Sequence, residues 1–396
     1  MTVSVVMYKT LGISNADIAL YTSWLYLPWV VKPLWSPVVE LFGTKRRWIV
    51  AMQFAIGAAL ALVALTLPVD RFFQMSLAVL WLMAFASATH DIAADGYYML
   101  AMDSHRQASY VGLRSAFWRV AQIAGQGGLV YLAGELGNFT GNMVLAWSIV
   151  FAIAAGLFVV LCLWHWFILP RPDSDHAAAT ASTHEFIETF ASFFRRERMV
   201  SILAFLLLFR FAEAQALKLV PPFLLDPISK GGLGLTTSDV GIAYGTIGVV
   251  SLTVGGILGG LAIARWGLDR CIWPMVFAIH VPNAVFLYLA LAQPQGFALV
   301  CTALALEQFG YGFGFASFLM FMLHVADGPR KTAHYAICTG FMALGMMIPG
   351  MWSGWLEEQV GYVRFFAWIC VATLPAFIVV AFAKIPRGFG TEQAAH

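Results

Sequence analysis

The chain is poor in charge. Asp, Glu, Lys and Arg make up 11% of its 396 residues, where a soluble domain carries roughly 25%, and this deficit excludes a water-facing globule of that size. The net charge is only +2 and the basic residues are gathered in no single patch, which excludes a nucleic-acid-binding surface. Cysteine is scarce too. Cys162, Cys271, Cys301, Cys338 and Cys370 all lie in apolar stretches, and no two are closely spaced. That pattern removes a disulfide framework and a thiolate metal site, and we read neither a metal nor a cofactor site anywhere in the chain.

What the chain does have is apolar length: 60% of its residues are hydrophobic and 15% aromatic. Runs long enough for a bilayer core, about 20 residues, fall at 18–42, 48–67, 73–100, 108–134, 143–169, 199–225, 239–264, 271–292, 297–325, 332–356 and 362–383. They predict an all-α membrane protein with eleven full spans. The segments 43–47, 101–107, 170–198, 265–270, 326–331 and the C-terminal tail hold fourteen Lys and Arg residues, against four on the other side (Lys9, Arg71, Lys230 and Arg364). Positive charge stays inside, so the first set of loops and the C-terminus are expected in the cytoplasm.

The second half repeats the first. Gly43 and Arg46 recur as Gly267 and Arg270, and Asp103 and Arg106 as Asp327 and Arg330, each at a separation of 224 residues (267 − 43). Near the start, Leu11, Gly12, Ser14 and Asp17 are echoed by Leu233, Gly234, Thr236 and Asp239 at 222 (234 − 12), so the register survives one small indel. Duplication on this scale in an apolar chain points to a transporter built from two pseudo-symmetric six-helix bundles. The register also places most of a first helix before Met1, leaving Thr2 to Tyr8 as its outer end. The expected domains are a bundle over 1–169, a cytoplasmic linker over 170–198, a second bundle over 199–384 and a tail over 385–396. Within the linker, Phe186, Ile187, Phe190, Phe193 and Phe194 recur at helical spacing, as expected of a short amphipathic helix on the inner membrane face.

Ionisable groups inside hydrocarbon cost about 2.5–3.5 kcal/mol each at a helix centre, so each demands a reason. They are Lys32, Asp91, Asp95, Arg114, Arg119, Arg210, Glu213, Lys218 and Glu307. Asp91 and Asp95 are one helical turn apart and share a face. Counting outward from a loop centred between Ser104 and His105 places Asp95 level with Arg114, and His90 and Asp91 level with Arg119. Shifted by 224 these positions become Phe315, Leu319, Cys338 and Ala343, so the acidic pair belongs to one half only. That asymmetry favours substrate or ion handling over static packing, with His90 beside Asp91 able to relay protons. Glu307 is also unmatched, its counterpart being Met83. Arg210 and Glu213 either neutralise each other or face a ligand. Lys32 lies between Pro28, Pro33 and Pro37 on a helix expected to bend and is a candidate anion contact, and Gln122 and Gln126 extend the Arg119 face. Gly310, Gly312 and Gly314 signal close packing or a break.

The loop after Pro37, with Glu40, Gly43, Lys45, Arg46 and Arg47, resembles the acidic, glycine and basic signature that joins the second and third helices of major facilitator superfamily transporters. Leu41 and, in the second half, Ala264 depart from it. Within that superfamily, His90-Asp91-Ile92-Ala93-Ala94-Asp95-Gly96-Tyr97 and Tyr311-Gly312-Phe313-Gly314-Phe315-Ala316 resemble the AmpG muropeptide permease and acetyl-CoA transporter family. The resemblance implies a monomeric, multi-pass permease of a bacterial inner membrane, surrounded by lipid. It would import anhydromuropeptides or related cell-wall amino sugars with protons; acetyl-CoA or another anionic solute is the alternative cargo. Asp91, Asp95 and His90 would couple protons. Lys32, Arg114, Arg119, Gln122, Gln126, Arg210, Glu213 and Glu307 would line the substrate path, and Glu40, Gly43, Arg46, Arg270, Asp103, Arg106, Asp327 and Arg330 would gate the cytoplasmic ends. A membrane-embedded aspartyl protease is disfavoured, because its two carboxylates must meet across a cleft, whereas these stand on one helix. A transporter-like ligand sensor is the remaining competitor.

Overall fold

In hydrocarbon every backbone amide must find its partner within the chain, so apolar runs of this length fold as helices. The computed structural model describes residues 1–101, 116–172, 175, 183–328 and 330–391, and among these the regular structure is helical throughout. Eight described helices are long and apolar enough to cross a membrane: Lys45–Thr66, Phe72–Tyr98, Met143–Ile168, Met199–Leu225, Thr237–Trp266, Leu268–Ala292, Phe297–Ala326 and Lys331–Phe382. The last holds two of the expected spans, because Gly361 interrupts it with φ 77° and ψ 162°, a conformation open to glycine.

Not every one of the eleven expected spans is a single helix among the described residues. The run 18–42 is two helices, α2 (Asn15–Trp24) and α3 (Leu27–Leu41). Pro28 sits in the first turn of α3 and has no N–H to continue the ladder from α2. The run 108–134 lies partly outside the described residues. Ahead of α2, α1 spans Thr2–Thr10.

By contacts the chain forms two units. The smaller, 25–121 and 132–191, contains α3, α4 (Lys45–Thr66), α5 (Phe72–Ala101), most of α6 (Val130–Thr140), α7 (Met143–Ile168) and most of the linker helix α8 (Thr183–Phe194). Its α4 packs on α5 and α7. Val39, Ile49, Ala93 and Tyr97 form a small buried core there, and Tyr97 Oη donates to the carbonyl of Pro170 at 2.9 Å.

The larger unit is Met1–Trp24, Gln122–Tyr131 and Ser192–His396. It carries α9 (Met199–Leu208), α10 (Phe211–Leu225), α11 (Val249–Trp266, preceded by a π-helical segment at Gly241–Gly248), α12 (Leu268–His280), α13 (Phe297–Ala326), α14 (Lys331–Ala372) and α15 (Leu374–Phe382). Small residues explain why 122–131 packs with this unit. A Cβ on Gly245 would collide with the Gln126 carbonyl and stand 2.6 Å from Gly127 Cα, so the backbones meet where no side chain fits. The glycines of α13 play the same part in one unbroken helix. A Cβ at Gly312 would strike the carbonyl of Leu252, and one at Gly310 that of Ala278.

The repeat is visible in the backbone. Gly43 and Gly267 both have positive φ, 77° and 81°, at the ends of corresponding helices. Gly12 and Gly234 do too, at 86° and 65°, and each precedes a hydroxyl–aspartate turn, closed as a reciprocal capping box at Thr236. Asp17 N donates to Ser14 Oγ at 3.1 Å while that hydroxyl donates to Asp17; Asp239 N donates to Thr236 Oγ1 at 3.1 Å and Thr236 N to the Asp239 carboxylate.

The linker helix is present, but its aromatic face is not given wholly to the membrane. Ile187 and Phe194 are exposed, whereas Phe193 is fully buried, stacked on Phe341 with ring centroids 6.3 Å apart and edge-on to His334 at 5.6 Å. Arg196 continues the docking with donations to the Asp327 carbonyl at 2.6 Å and to His334 Nδ1 at 2.8 Å. The start of the tail is also seated: Leu268 N donates to the Phe389 carbonyl, and Gly388 N to Asp269 Oδ1 at 2.9 Å.

Candidate functional site

Asp91 stands on α5 and makes an ion pair with Lys32 of α3. The pair is partly open, with 45% of the Asp91 side chain and 20% of the Lys32 side chain exposed. Counting depth along the sequence sets Asp91 level with Arg119 because it compares α5 only with the next helix; the partner comes from α3, two helices earlier, which packs on α5. Arg119 lays its guanidinium over the neighbouring Trp118 ring, 4.9 Å from the centroid, a cation–π contact. Asp95 is half-buried one turn below Asp91, and Arg114 lies outside the described residues. His90 Nε2 is buried with no hydrogen-bond partner among the described residues, and the nearby His165 meets Gln53 at 2.9 Å through Nδ1.

At the start of α4 the gate residues have unequal fates. Arg46 is buried, donates through Nε to the Leu169 carbonyl at 3.0 Å and through its guanidinium to that of Trp166, and so closes the carbonyl end of α7. Asp175 accepts from the Lys45 and Arg46 amides at 2.7 and 3.1 Å, where an anion complements the helix N-terminus. Arg270, its repeat mate, is exposed. Asp327 is exposed with Lys331 3.9 Å away, and Arg330 is half-buried. The described residues stop short of Asp103 and Arg106, and the side chain of Glu40 is likewise outside them.

In the larger unit, Arg210 occupies the break between α9 and α10. Its Nε and Nη2 grip Glu213 at 3.1 and 2.5 Å, Nη2 also donates to Tyr311 Oη at 2.7 Å, and the guanidinium lies 4.7 Å from the Phe315 centroid. Arg210 and Glu213 are 6% and 3% exposed and pair with each other, with Tyr311 on the same guanidinium. Glu307, 4% exposed, accepts from the Gln308 amide at 2.8 Å and lies within electrostatic range of Glu213. The segment Ile123–Leu129, which includes Gln126, is π-helical, a distortion frequent at functional sites; Gln122 immediately precedes it.

Two features have no counterpart among the sequence expectations. Lys218, singled out only as a membrane charge, donates to Thr22 Oγ1 at 2.9 Å, both groups being buried. A polar network of Lys9, Asn15, Asp226, Glu357 and Tyr362 ties together groups up to 347 positions apart. No local spacing announces it; the one available signal is that Lys9, Asp226 and Glu357 are charges at span ends on the face with few cations.

These features lie on a fold with known counterparts. The family model described as Major Facilitator Superfamily matches residues 1–337. The chain is similar to a putative transporter AmpG 4 of Rickettsia conorii, 24% identical over 401 residues covering 96% of this chain and 92% of the relative. It is also similar to the anhydromuropeptide permease of Escherichia coli K12, 23% identical over 387 residues, covering 96% and 74%. Among solved structures, the nucleoside transporter NupG aligns with TM-score 0.71 at 18% identity over 97% of this chain and 94% of that one. A D-xylose-proton symporter aligns with TM-score 0.68 at 13% identity over 98% and 93%. This chain is a multi-span membrane transporter protein and belongs to the Major Facilitator Superfamily.

Proposed function

We propose that the protein is a secondary active permease that imports anhydromuropeptides or related cell-wall amino-sugar compounds across a bacterial inner membrane by alternating access, driven by protons. Its working parts are the bundles 1–169 and 199–384, joined by a linker and tail that face the cytoplasm. The observation that carries this reading is the half-open Lys32–Asp91 pair, a charge pair retained in apolar helices that burial alone does not require, in a chain similar along nearly its whole length to an anhydromuropeptide permease. In this partly exposed pair the carboxylate is suited to exchange the lysine for a proton, which frees the lysine for an anionic solute. Asp95 and His90 extend the proton route, Arg119, Gln122 and Gln126 extend the substrate path, and a proton crossing the membrane supplies about 2.3 kcal/mol per 100 mV.

Proteoliposome uptake of radiolabelled anhydromuropeptide under an imposed pH gradient tests this. Accumulation in the wild type and its loss in Asp91→Asn, with counterflow retained, is the expected result. Undiminished gradient-driven uptake in both Asp91→Asn and Asp95→Asn would remove these carboxylates from coupling. Counterflow of acetyl-CoA in place of the muropeptide would move the protein to the alternative cargo, and absence of any counterflow would mark a sensor.

A further inference from the structure

Lys9, Asn15, Asp226, Glu357 and Tyr362 meet at one end of the larger unit, on the side opposite the cation-rich loops. Lys9 Nζ is 2.7 Å from Asp226 Oδ2 and donates to Asn15 Oδ1 at 2.8 Å. Asn15 Nδ2 donates to Glu357 Oε2 at 2.7 Å and to Tyr362 Oη at 2.9 Å, and Tyr362 in turn donates to Asp226 Oδ2 at 2.6 Å. Asn15, Asp226 and Glu357 are 7%, 6% and 5% exposed. The elements beneath are in backbone contact: a Cβ on Gly354, one turn before Glu357, would collide with the Asn15 carbonyl. Further along α2, roughly 12 Å from Asn15 at 1.5 Å per residue, Ser23 is fully buried against Gly350 and beside Lys218.

The charge count decides what this network does. One ammonium faces two carboxyl groups. Asp226 is held by both Lys9 and Tyr362, whereas Glu357 is held by the neutral Asn15 amide. The other charge facing it is Glu358, which binds the Ala16 amide at 2.9 Å and adds a further negative charge at the rim. Assembling the network takes both carboxyl groups out of water with one negative charge left over, and a buried unpaired charge is far costlier than a neutral carboxyl hydrogen-bonded to an amide. We infer that this network is an outer latch that binds one proton as it closes, Glu357 being the carboxyl that takes it.

The sign comes from linkage. The closed latch holds one more proton than the open one, so acid on the outer side favours closure and alkali favours opening, by up to about tenfold per pH unit for a single proton. Its use in import rests on the transporter reading, in which an outer acid would shut the path behind a loaded substrate. The latch itself is tested without any substrate.

Ser23→Cys, in a protein whose five native cysteines are replaced by alanine or serine, reports opening. Spheroplasts are treated with a membrane-impermeant maleimide at pH 5.5 to 8, and each labelling rate is divided by that of the detergent-unfolded protein at the same pH, so that intrinsic thiol reactivity cancels. The normalised rate is expected to rise about tenfold or more from pH 5.5 to 8, and Glu357→Gln is expected to abolish that dependence. Lys9→Met removes the cation that offsets Asp226, so closure should need two protons and the profile should steepen beyond tenfold per pH unit, which keeps the idea testable if Glu357→Gln does not fold. A flat wild-type profile, a Glu357→Gln profile that still tracks the wild type, or a Lys9→Met profile no steeper than the wild type overturns the latch. A latch that behaves as expected in a protein showing neither uptake nor counterflow leaves it standing and removes the transporter reading.

Discussion

The Arg210–Glu213 pair offers a quantitative test of how this protein tolerates charge in its apolar interior. Both residues are nearly inaccessible, at 6% and 3% exposure, and the guanidinium is bound through two nitrogens. Removing one member leaves the other buried and uncompensated, at a cost of about 3–5 kcal/mol, whereas replacing both by apolar residues of similar volume is commonly neutral or better. Glu213→Leu and Arg210→Met should therefore each destabilise by about 3–5 kcal/mol, the second at the upper end because Tyr311 and Phe315 also lose their cation. The double variant Arg210→Met/Glu213→Leu should cost no more than about 2 kcal/mol, most of it the orphaned Tyr311 hydroxyl, giving a coupling energy of roughly 4 kcal/mol or more. Reversible unfolding in mixed micelles titrated with dodecyl sulfate, monitored by far-UV circular dichroism, reads all four corners of the cycle. Costs that add to within about 0.5 kcal/mol would refute the argument. The same double variant separates structure from function: stability restored with uptake intact makes the pair a structural clip, while stability restored with uptake lost makes it a ligand contact.

Individual contacts set the remaining expectations. Lys32→Ala should change stability by no more than about 1 kcal/mol, because the Lys32–Asp91 pair is partly exposed, yet should abolish gradient-driven uptake in proteoliposomes. Gly245→Ala forces a methyl group into the backbone of 126–127 and should destabilise by about 1–3 kcal/mol; Gly260→Ala, whose Cβ would meet nothing within 4 Å, should be neutral or slightly stabilising in the same unfolding assay. Phe193→Ala empties a fully buried aromatic site between Phe341 and His334; it should cost about 3–5 kcal/mol and speed trypsin cleavage near Arg195 and Arg196 severalfold.

Features that are local or duplicated are legible in the sequence. Hydrophobic length locates most helices, because the bilayer fixes how many residues a span requires. The repeat holds down to backbone detail, at a separation of 224 in the paired positive φ of Gly43 and Gly267 and of 222 in the hydroxyl–aspartate turns at Ser14 and Thr236. Where a break depends on a single proline, as between α2 and α3, the apolar run conceals it. Partner choice is the harder matter. Depth matching can rank only helices adjacent in sequence, so it offers Arg119 to Asp91 and overlooks Lys32, 59 positions upstream.

Duplication also misleads when two equivalent residues meet different surroundings. Arg46 and Arg270 occupy the same register, yet Arg46 is drawn into the carbonyl end of α7 while Arg270 remains exposed. The difference lies in the segment that reaches each site. The first half supplies Asp175 from beyond α7 to cap α4, and Arg46 then closes the α7 terminus that leads to it. In the second half the tail takes the corresponding place through Gly388 and Phe389, and Asp269, one position before Arg270, is the side chain that engages it. Removing each arginine in turn is thus a direct test of whether these residues gate transport or only finish helices. If Arg46 serves mainly as a cap, Asp175→Ala and Arg46→Ala should lower stability together and sub-additively, with uptake falling only in proportion to folded protein. If it gates, Arg46→Ala should depress uptake per folded molecule while Arg270→Ala, which disturbs no buried contact, should not. Uptake normalised to the folded fraction in the same vesicles separates the two, and equal losses in Arg46→Ala and Arg270→Ala would show that their different surroundings are irrelevant to transport.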